Sequence, residues 1–169
     1  MSFATIPDLL ARVKAVELAQ LTDVAMPRVV NDQLLTAGIG GDFSGMTAPQ
    51  QAAVQASLTK LQTALDEATG IMKSYVLPVY PGALTLVPVP TILVRSCCDI
   101  ARYNLYDANM PDHIKDRYET AMQAMRDIAR SIITLGETAQ ESQVASSGNL
   151  VEIVSDRPEL LRGRSRPFV

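Results

Sequence analysis

The sequence has few of the residues that build catalytic and metal sites. Its 169 residues include no tryptophan, one histidine (His113) and two cysteines. A zinc site needs several His or Cys ligands, and nucleophilic catalysis of the Ser–His–Asp type needs a suitably placed histidine. The EF-hand pattern is also missing around Asp107 and Asp112. We therefore expect neither an enzyme nor a metal or cofactor site.

The two cysteines, Cys97 and Cys98, are neighbours in sequence. On a helix they would point about 100° apart, which makes a bridge between them geometrically poor. We expect two small buried side chains in a reducing cytoplasm. The first ten residues lack the basic start and long apolar core of a signal peptide. The net charge of −3 argues against a protein whose main task is to bind nucleic-acid phosphates.

No charged residue occurs from Ser74 to Val94, a stretch as long as a membrane span. It contains four prolines, however, and these would break the backbone hydrogen bonding that lipid requires. We interpret the segment as an ordered apolar loop or short hairpin between two helices. Such a loop is poorly suited to water and is a candidate contact with a neighbouring subunit or with the next layer of an assembly. The contact residues we predict are Leu77, Val79, Tyr80, Leu84, Leu86 and Val87.

The stretch from Thr91 to Tyr106 predicts a helix whose charges are confined to one stripe, Arg95, Asp99 and Arg102. This stripe is either an ion ladder on the surface or a contact with a neighbouring subunit. Because the rest of the helix is largely apolar, we expect it at the centre of a helical bundle. Its predicted core residues are Ile92, Cys97, Ile100 and Tyr103.

Short helices are expected before residue 47. Thr5-Ile-Pro-Asp8 is typical of a helix start, with Thr5 as the cap. Glu17–Leu21 extends this helix or forms a second turn, and Val29–Leu35 is a candidate for another short helix. The glycine-rich stretch Gly38–Gly45 follows no strand, so we interpret it as a loop rather than a phosphate-binding motif.

Two long amphipathic helices flank the apolar one. Thr47-Ala-Pro-Gln50 is a capping-box pattern and opens a helix predicted from Ala48 to Val76. Asn109, followed by Pro111, is predicted to cap a second helix, which the apolar pattern extends to Leu135, with Gly136 as the residue that stops it. Together these patterns predict an all-α fold: an antiparallel bundle with a central apolar helix, short N-terminal helices and an extended C-terminal tail. In each long helix, apolar residues at steps of three and four form a seam that faces the core. The seam of the first helix comprises Val54, Leu58, Leu61, Leu65, Ala68, Met72 and Tyr75. The seam of the second helix comprises Ile114, Tyr118, Ala121, Met125, Ile128, Ile132 and Leu135.

The composition changes after residue 136. Residues 138–148 are rich in Ser, Gln and Ala and are typical of a linker, and Leu150–Val154 could form a short strand. We therefore divide the chain into a helical domain, residues 1–136, and a linker with an extended docking tail, residues 137–169. The tail is interpreted as a partner-docking segment, with an idle end or a nucleic-acid contact as alternatives. Its predicted docking residues are Arg157, Leu160, Leu161, Arg162, Arg164, Arg166, Pro167, Phe168 and Val169.

Several short motifs, taken in order, resemble the head–tail connector (adaptor) family of Mu-like phages and prophages. The Cys98–Tyr106 block is the most specific of them, and the likeness covers roughly residues 3 to 136. The chain departs from shorter members by having more residues between Asp23 and Thr47. The motifs are Asp8–Arg12, Glu17–Asp23, Tyr75, Tyr80-Pro81, Cys98–Tyr103, Leu105-Tyr106, Arg117-Tyr118 and Ile133–Gly136.

This resemblance implies a structural role. Adaptors of this kind are small helical proteins that form a ring, usually twelve-fold, below the portal protein, and join it to stopper or tail-completion proteins. DNA passes through the ring without sequence-specific binding, and a C-terminal segment commonly docks on the portal. The implied location is the virion neck, after synthesis in the bacterial host cytoplasm, with no membrane contact. The rival hypothesis is a small regulatory helical module that binds nucleic acid through its basic C-terminal tail.

Overall fold

The computed structural model describes residues 2–23, 25, 27–106 and 110–135, without the side chain of Leu84. This part of the chain contains six α-helices and no strand, which confirms the all-α fold class. Residues 136–169 lie outside it, so the domain division, the possible strand Leu150–Val154 and the extended tail stay predictions. The elements are α1 (Ile6–Leu10), α2 (Ala15–Thr22), α3 (Asp32–Ile39), α4 (Ala48–Val76), a 3₁₀ turn (Ala83–Thr85), α5 (Thr91–Asn104) and α6 (Asp112–Ala129).

Helix α1 begins where the sequence predicts. The Thr5 amide donates to Asp8 Oδ2 at 2.8 Å, and the Asp8 amide donates to Thr5 Oγ1 at 3.4 Å. This reciprocal cap satisfies two backbone donors that a helix start leaves unpaired. Extended backbone at Lys14 then separates α1 from α2, so Glu17–Leu21 belongs to a helix of its own.

The predicted helix Val29–Leu35 is wrong in its bounds, because the structure places α3 at Asp32–Ile39. Val29 and Val30 are held instead by the carboxylate of Asp23, which accepts their amides at 2.6 and 2.7 Å. The helix starts only after Asn31, whose side chain accepts the Leu34 amide at 2.8 Å.

Helix α3 also extends into the glycine-rich stretch that was predicted as a loop. Gly38 and Ile39 are helical, and the loop begins at Gly40. Gly38 is buried against α4, where a Cβ atom would clash with the side chain of Val54. The helix therefore continues because a residue without a side chain lets α3 approach α4 closely.

Helix α4 has the predicted bounds. The Thr47 amide donates to Gln50 Oε1 at 2.8 Å, as the capping-box pattern indicates. Most of the predicted seam is buried, while Leu58 and Tyr75 are partly buried against the core. The fully buried seam residues are Val54, Leu61, Leu65, Ala68 and Met72.

Helix α5 ends at Asn104, two residues before the predicted end, and contacts α1, α4 and α6. Cys97, in its middle, lies beside Leu65 and Thr69 of α4. Leu105, just beyond its end, shares a surface depression with Ala56, earlier in α4. The two helices therefore lie side by side and run in opposite directions. No helix in the described ranges is long and apolar enough to cross a bilayer.

The predicted end of α6 is wrong. The helix begins at Asp112 after Pro111 and ends at Ala129, six residues before Leu135. Ser131 has a φ of 58°, and the amides of Ser131 and Ile132 donate to the carbonyls of Ile128 and Asp127 at 2.9 and 2.8 Å. This is a Schellman motif, which ends a helix irrespective of the apolar pattern beyond it. Ile132 is consequently 68% exposed, whereas Leu135 is buried although it lies beyond the end of the helix. The predicted cap is wrong as well, because Pro111 is the N-cap of α6 and Met110 before it is not helical. Asn109 and the predicted stop Gly136 themselves lie outside the described residues.

Candidate functional site

The loop between α4 and α5 folds back on its own subunit. The Tyr80 amide donates to the Val76 carbonyl at 2.8 Å, and the Ala83 amide donates to the Tyr80 carbonyl at 3.0 Å. Thr85 donates from its amide and its hydroxyl to the Gly82 carbonyl. Ala83 is fully buried. These turns give the loop a defined conformation although it is uncharged and rich in proline.

The predicted contact residues of this loop differ in exposure. Leu77, Tyr80 and Leu86 are partly buried against the subunit's own core, and Val79 is half-buried. Val87 is 92% exposed, and Pro88 beside it is exposed as well. The apolar character of the loop therefore serves two purposes: most of it anchors the loop, and Val87–Pro88 forms an exposed tip, which we call the loop tip. The side chain of Leu84 lies outside the description.

The predicted core residues of α5 are buried to different degrees. Cys97 and Ile100 are fully buried, and Ile92 is partly buried against the core. Tyr103 is half-buried and stacks on Tyr118 of α6, with ring centroids 3.9 Å apart and an interplanar angle of 21°. This stack connects α5 to α6.

The two cysteines are free thiols shielded from solvent. Burial raises the pKa of Cys97, and burial together with the neighbouring Cys97 raises the pKa of Cys98 to about 12. Because the thiolate is the reactive form, both side chains stay protonated at neutral pH and are poor nucleophiles and metal ligands. Among the described residues, no group of three His, Cys, Asp or Glu side chains could hold a metal ion.

An ion pair that the sequence pattern does not reveal joins α2 to α5. The Arg102 guanidinium donates from Nε and Nη2 to the two carboxylate oxygens of Glu17, both at 2.7 Å. Tyr106 adds a third hydrogen bond, from its hydroxyl to Glu17 Oε1 at 2.9 Å. Burial, followed by the contact with Glu17, raises the pKa of Tyr106. The expected ladder of Arg95, Asp99 and Arg102 is therefore wrong in one member, because Arg102 is engaged by α2.

The rest of the stripe faces α6 instead. Asp99 lies 3.8 Å from Arg95 and 3.9 Å from Arg117 of α6. The Asp99 side chain is 13% exposed, while those of the two arginines are 65% and 54% exposed. Both distances exceed those of a charge-assisted hydrogen bond, so these are loose ion pairs. The predicted docking residues of the tail, Arg157 to Val169, lie outside the described part of the chain.

Comparison with known proteins gives two findings. A family model described as bacteriophage Mu, Gp36 matches residues 3–153, a span that includes all six described helices. A relative, the Mu-like prophage FluMu protein gp36 of Haemophilus influenzae, is 34% identical over 94 residues. That alignment covers 55% of this chain and 65% of the relative, so the chain spans less than two thirds of the relative's length.

Proposed function

This chain belongs to the bacteriophage Mu Gp36 family, and we propose that it is the subunit of a head–tail connector ring. In this role the ring sits between the portal protein and the stopper or tail-completion proteins, in the neck of the virion. DNA passes through its lumen without being read. The role is structural and involves no catalysis.

The observation that carries this proposal is the family match over residues 3–153. It agrees with the resemblance of the short motifs, since the Cys98–Tyr106 block lies within the matched span. A subunit of such a ring needs a rigid body and exposed contact points. The six described helices supply the rigid body through a continuous aliphatic core, and the loop tip offers one exposed contact point. In the same proposal the tail residues Arg157 to Val169 dock on the portal.

The loop tip suggests a direct test. Val87→Asp places a charge on a side chain that is 92% exposed, so the helical unit should fold as before. We expect the variant to lose most of its ability to form rings with its portal, because an uncharged contact would have to bury the new carboxylate. Native mass spectrometry and electron microscopy of portal mixtures report ring formation, and circular dichroism reports folding.

Ile132→Asp is the matched control, since Ile132 is another large apolar side chain that is 68% exposed, but it lies after α6. It should form rings normally. Normal rings from Val87→Asp would show that the loop tip is not a contact. If the wild-type chain does not bind portal but retards DNA in a gel at low salt, the connector hypothesis is rejected in favour of the nucleic-acid-binding module.

A further inference from the structure

Arginines from separate elements gather around one carboxylate on the outer side of α5. Arg95 of α5 and Arg117 of α6 lie 3.8 and 3.9 Å from Asp99. Arg12, in the turn after α1, is near enough for its charge to lower the pKa of Asp99, although it forms no ion pair with Asp99. We call Arg12, Arg95 and Arg117 the arginine patch. Three cations around one anion leave a local excess of positive charge in a chain whose net charge is −3.

Arg102, which pairs with Glu17, is an example of an arginine whose charge and hydrogen-bond donors are engaged within the subunit. Its two hydrogen bonds are both 2.7 Å long, and the Arg102 side chain is only 11% exposed. Arg95 and Arg117 are 65% and 54% exposed and make no hydrogen bond with any described residue. Since a guanidinium has five donors in a planar fork, the patch retains most of its capacity to bind carboxylates.

The central carboxylate does not block access to the patch. The Asp99 side chain is 13% exposed, so an approaching anion meets the guanidiniums before it meets Asp99. Burial raises the pKa of Asp99, whereas the fields of Arg117, Arg95, Arg12 and Arg102 lower it, so this carboxylate is poorly solvated. Asp99 therefore pairs only loosely with Arg95 and Arg117, and their hydrogen-bond donors stay open to a second anion.

The exposed face of α4 offers the complementary charges. Asp66 and Glu67 are exposed, and their described partners are the amide groups of Gln62 at 3.1 Å and Asn104 at 3.5 Å. Neither carboxylate forms an ion pair within the described ranges of the chain. A neutral amide leaves the charge of a carboxylate uncompensated, so both remain available to a cation.

The patch and the acidic pair lie on different helices, and Asp99 at the centre of the patch faces away from the helix that carries the acidic pair. Cys97 contacts α4 at Leu65 and Thr69. Asp99 follows Cys97 by two residues, about 200° around the helix, so it faces away from α4. Asp66 and Glu67 are exposed on α4, and Glu67 lies at the edge of the contact with α5, where Asn104 donates to it. One copy can therefore present the patch to the acidic pair of the next in a head-to-tail contact, the kind that closes rings.

We propose that the arginine patch of one copy of this chain binds the carboxylates of Asp66 and Glu67 on a second copy. This inference rests on the proposed ring and names a contact that builds it. Identical acidic subunits repel one another unless opposite charges meet at the interface. A second copy is favoured over a DNA phosphate because each copy carries both halves of the contact.

The test uses full-length chain and charge reversal on each side. One variant is Arg95→Glu with Arg117→Glu, and the other is Asp66→Lys with Glu67→Lys. Sedimentation equilibrium in about 0.02 M salt, where the Debye length is roughly 20 Å, measures self-association. We expect each variant alone to associate about tenfold more weakly than wild type, because each contact then joins like charges.

An equimolar mixture of the two variants should recover association. The unchanged arginine patch of the lysine variant meets the unchanged Asp66 and Glu67 of the glutamate variant. The introduced glutamates meet the introduced lysines in the same way. Arg126→Glu with Arg130→Glu makes the same change in net charge at two exposed arginines outside the patch and should associate like wild type. Circular dichroism checks that all three variants fold.

Several results would overturn the contact. They are a wild-type chain that stays monomeric at about 1 mM, variants that associate like wild type, and a mixture that does not recover. A patch variant that loses DNA binding but associates normally would assign the patch to phosphates instead. If the wild-type chain and both variants all form normal rings with portal, the proposed contact is rejected while the connector function stands. If the chain self-associates through this contact but does not bind portal, the contact stands and the connector function is rejected.

Discussion

Two helical glycines, Gly38 and Gly70, have opposite surroundings. A Cβ atom at Gly38 would clash with Val54 of α4, whereas one at the exposed Gly70 would meet nothing within 4 Å. We expect Gly38→Ala to lower the free energy of unfolding by about 1–3 kcal/mol through overpacking. Gly70→Ala should raise it by about 0.5–1 kcal/mol, because alanine loses less backbone entropy in a helix. Urea denaturation measures both, and a neutral Gly38→Ala would contradict the close packing of α3 on α4.

Asp23 stabilises the link between α2 and α3 through its charge. Burial alone would raise its pKa, but the amides of Val30, Ala25 and Val29 donate to the carboxylate and hold its pKa below the usual value. A lowered folded-state pKa means that this stabilisation is present above the unfolded value of about 3.9 and is lost as pH falls through the folded pKa.

Asp23→Asn should therefore cost about 1.5–3 kcal/mol at pH 7, since hydrogen bonds to a charged acceptor are lost. The deficit relative to wild type should shrink as the pH is lowered below about 4, because wild-type Asp23 then becomes protonated. Denaturation curves between pH 7 and pH 3 test this. A deficit that is constant with pH would mean that the carboxylate's charge is unimportant.

At the scale of elements, the end of α6 depends on one residue in an unusual conformation. Ser131 has a φ of 58°, where side chains other than those of glycine and asparagine are disfavoured. Ser131→Gly should raise the free energy of unfolding by about 0.5–1 kcal/mol and the melting temperature by about 2–4 °C. Ser131→Ala is the control and should give no gain. If both variants melt like wild type, the left-handed conformation at Ser131 is not costly.

The starts of α1 and α4 were predicted well from the sequence, whereas the bounds of α3 and the end of α6 were not. The caps at Thr5 and Thr47 are local hydrogen bonds between residues three apart, so their signal is contained in a few letters. The end of α6 was missed because Ile132 and Leu135 continue the apolar period beyond a Schellman motif formed without glycine. The link between Glu17 and Arg102 joins residues far apart in sequence, and no spacing rule connects them.

The candidate contact loop was predicted as one segment that includes Val87, but the sequence did not show which of its side chains are exposed. The absence of charge from Ser74 to Val94 marks an apolar surface without saying which side chains the subunit itself buries. The structure assigns Leu77, Tyr80 and Leu86 to the subunit's own core and leaves Val87 exposed. A charge at Leu86 would therefore disturb folding as well as assembly, which makes Val87 the better probe.

For the whole molecule, we predict that the helices fold without residues 137–169 and that this segment is needed only for docking. The described core extends from Phe3 to Leu135 and draws buried side chains from all six helices. If residues 137–169 are a linker and docking tail, a chain that ends at Gly136 should keep its melting temperature within about 2–4 °C, which corresponds to about 1 kcal/mol. It should no longer bind portal, because Arg157 to Val169 are removed.

A second truncation, of residues 157–169 alone, distinguishes the linker from the docking tail. It should melt like the full chain and should lose portal binding to the same extent as the shorter chain, since the docking residues are missing from both. Portal binding is read by co-sedimentation and melting by circular dichroism. A fall in melting temperature of more than about 10 °C in the shorter chain alone would mean that residues 137–156 stabilise the helices. Full portal binding by either truncated chain would move the docking site onto the helical unit.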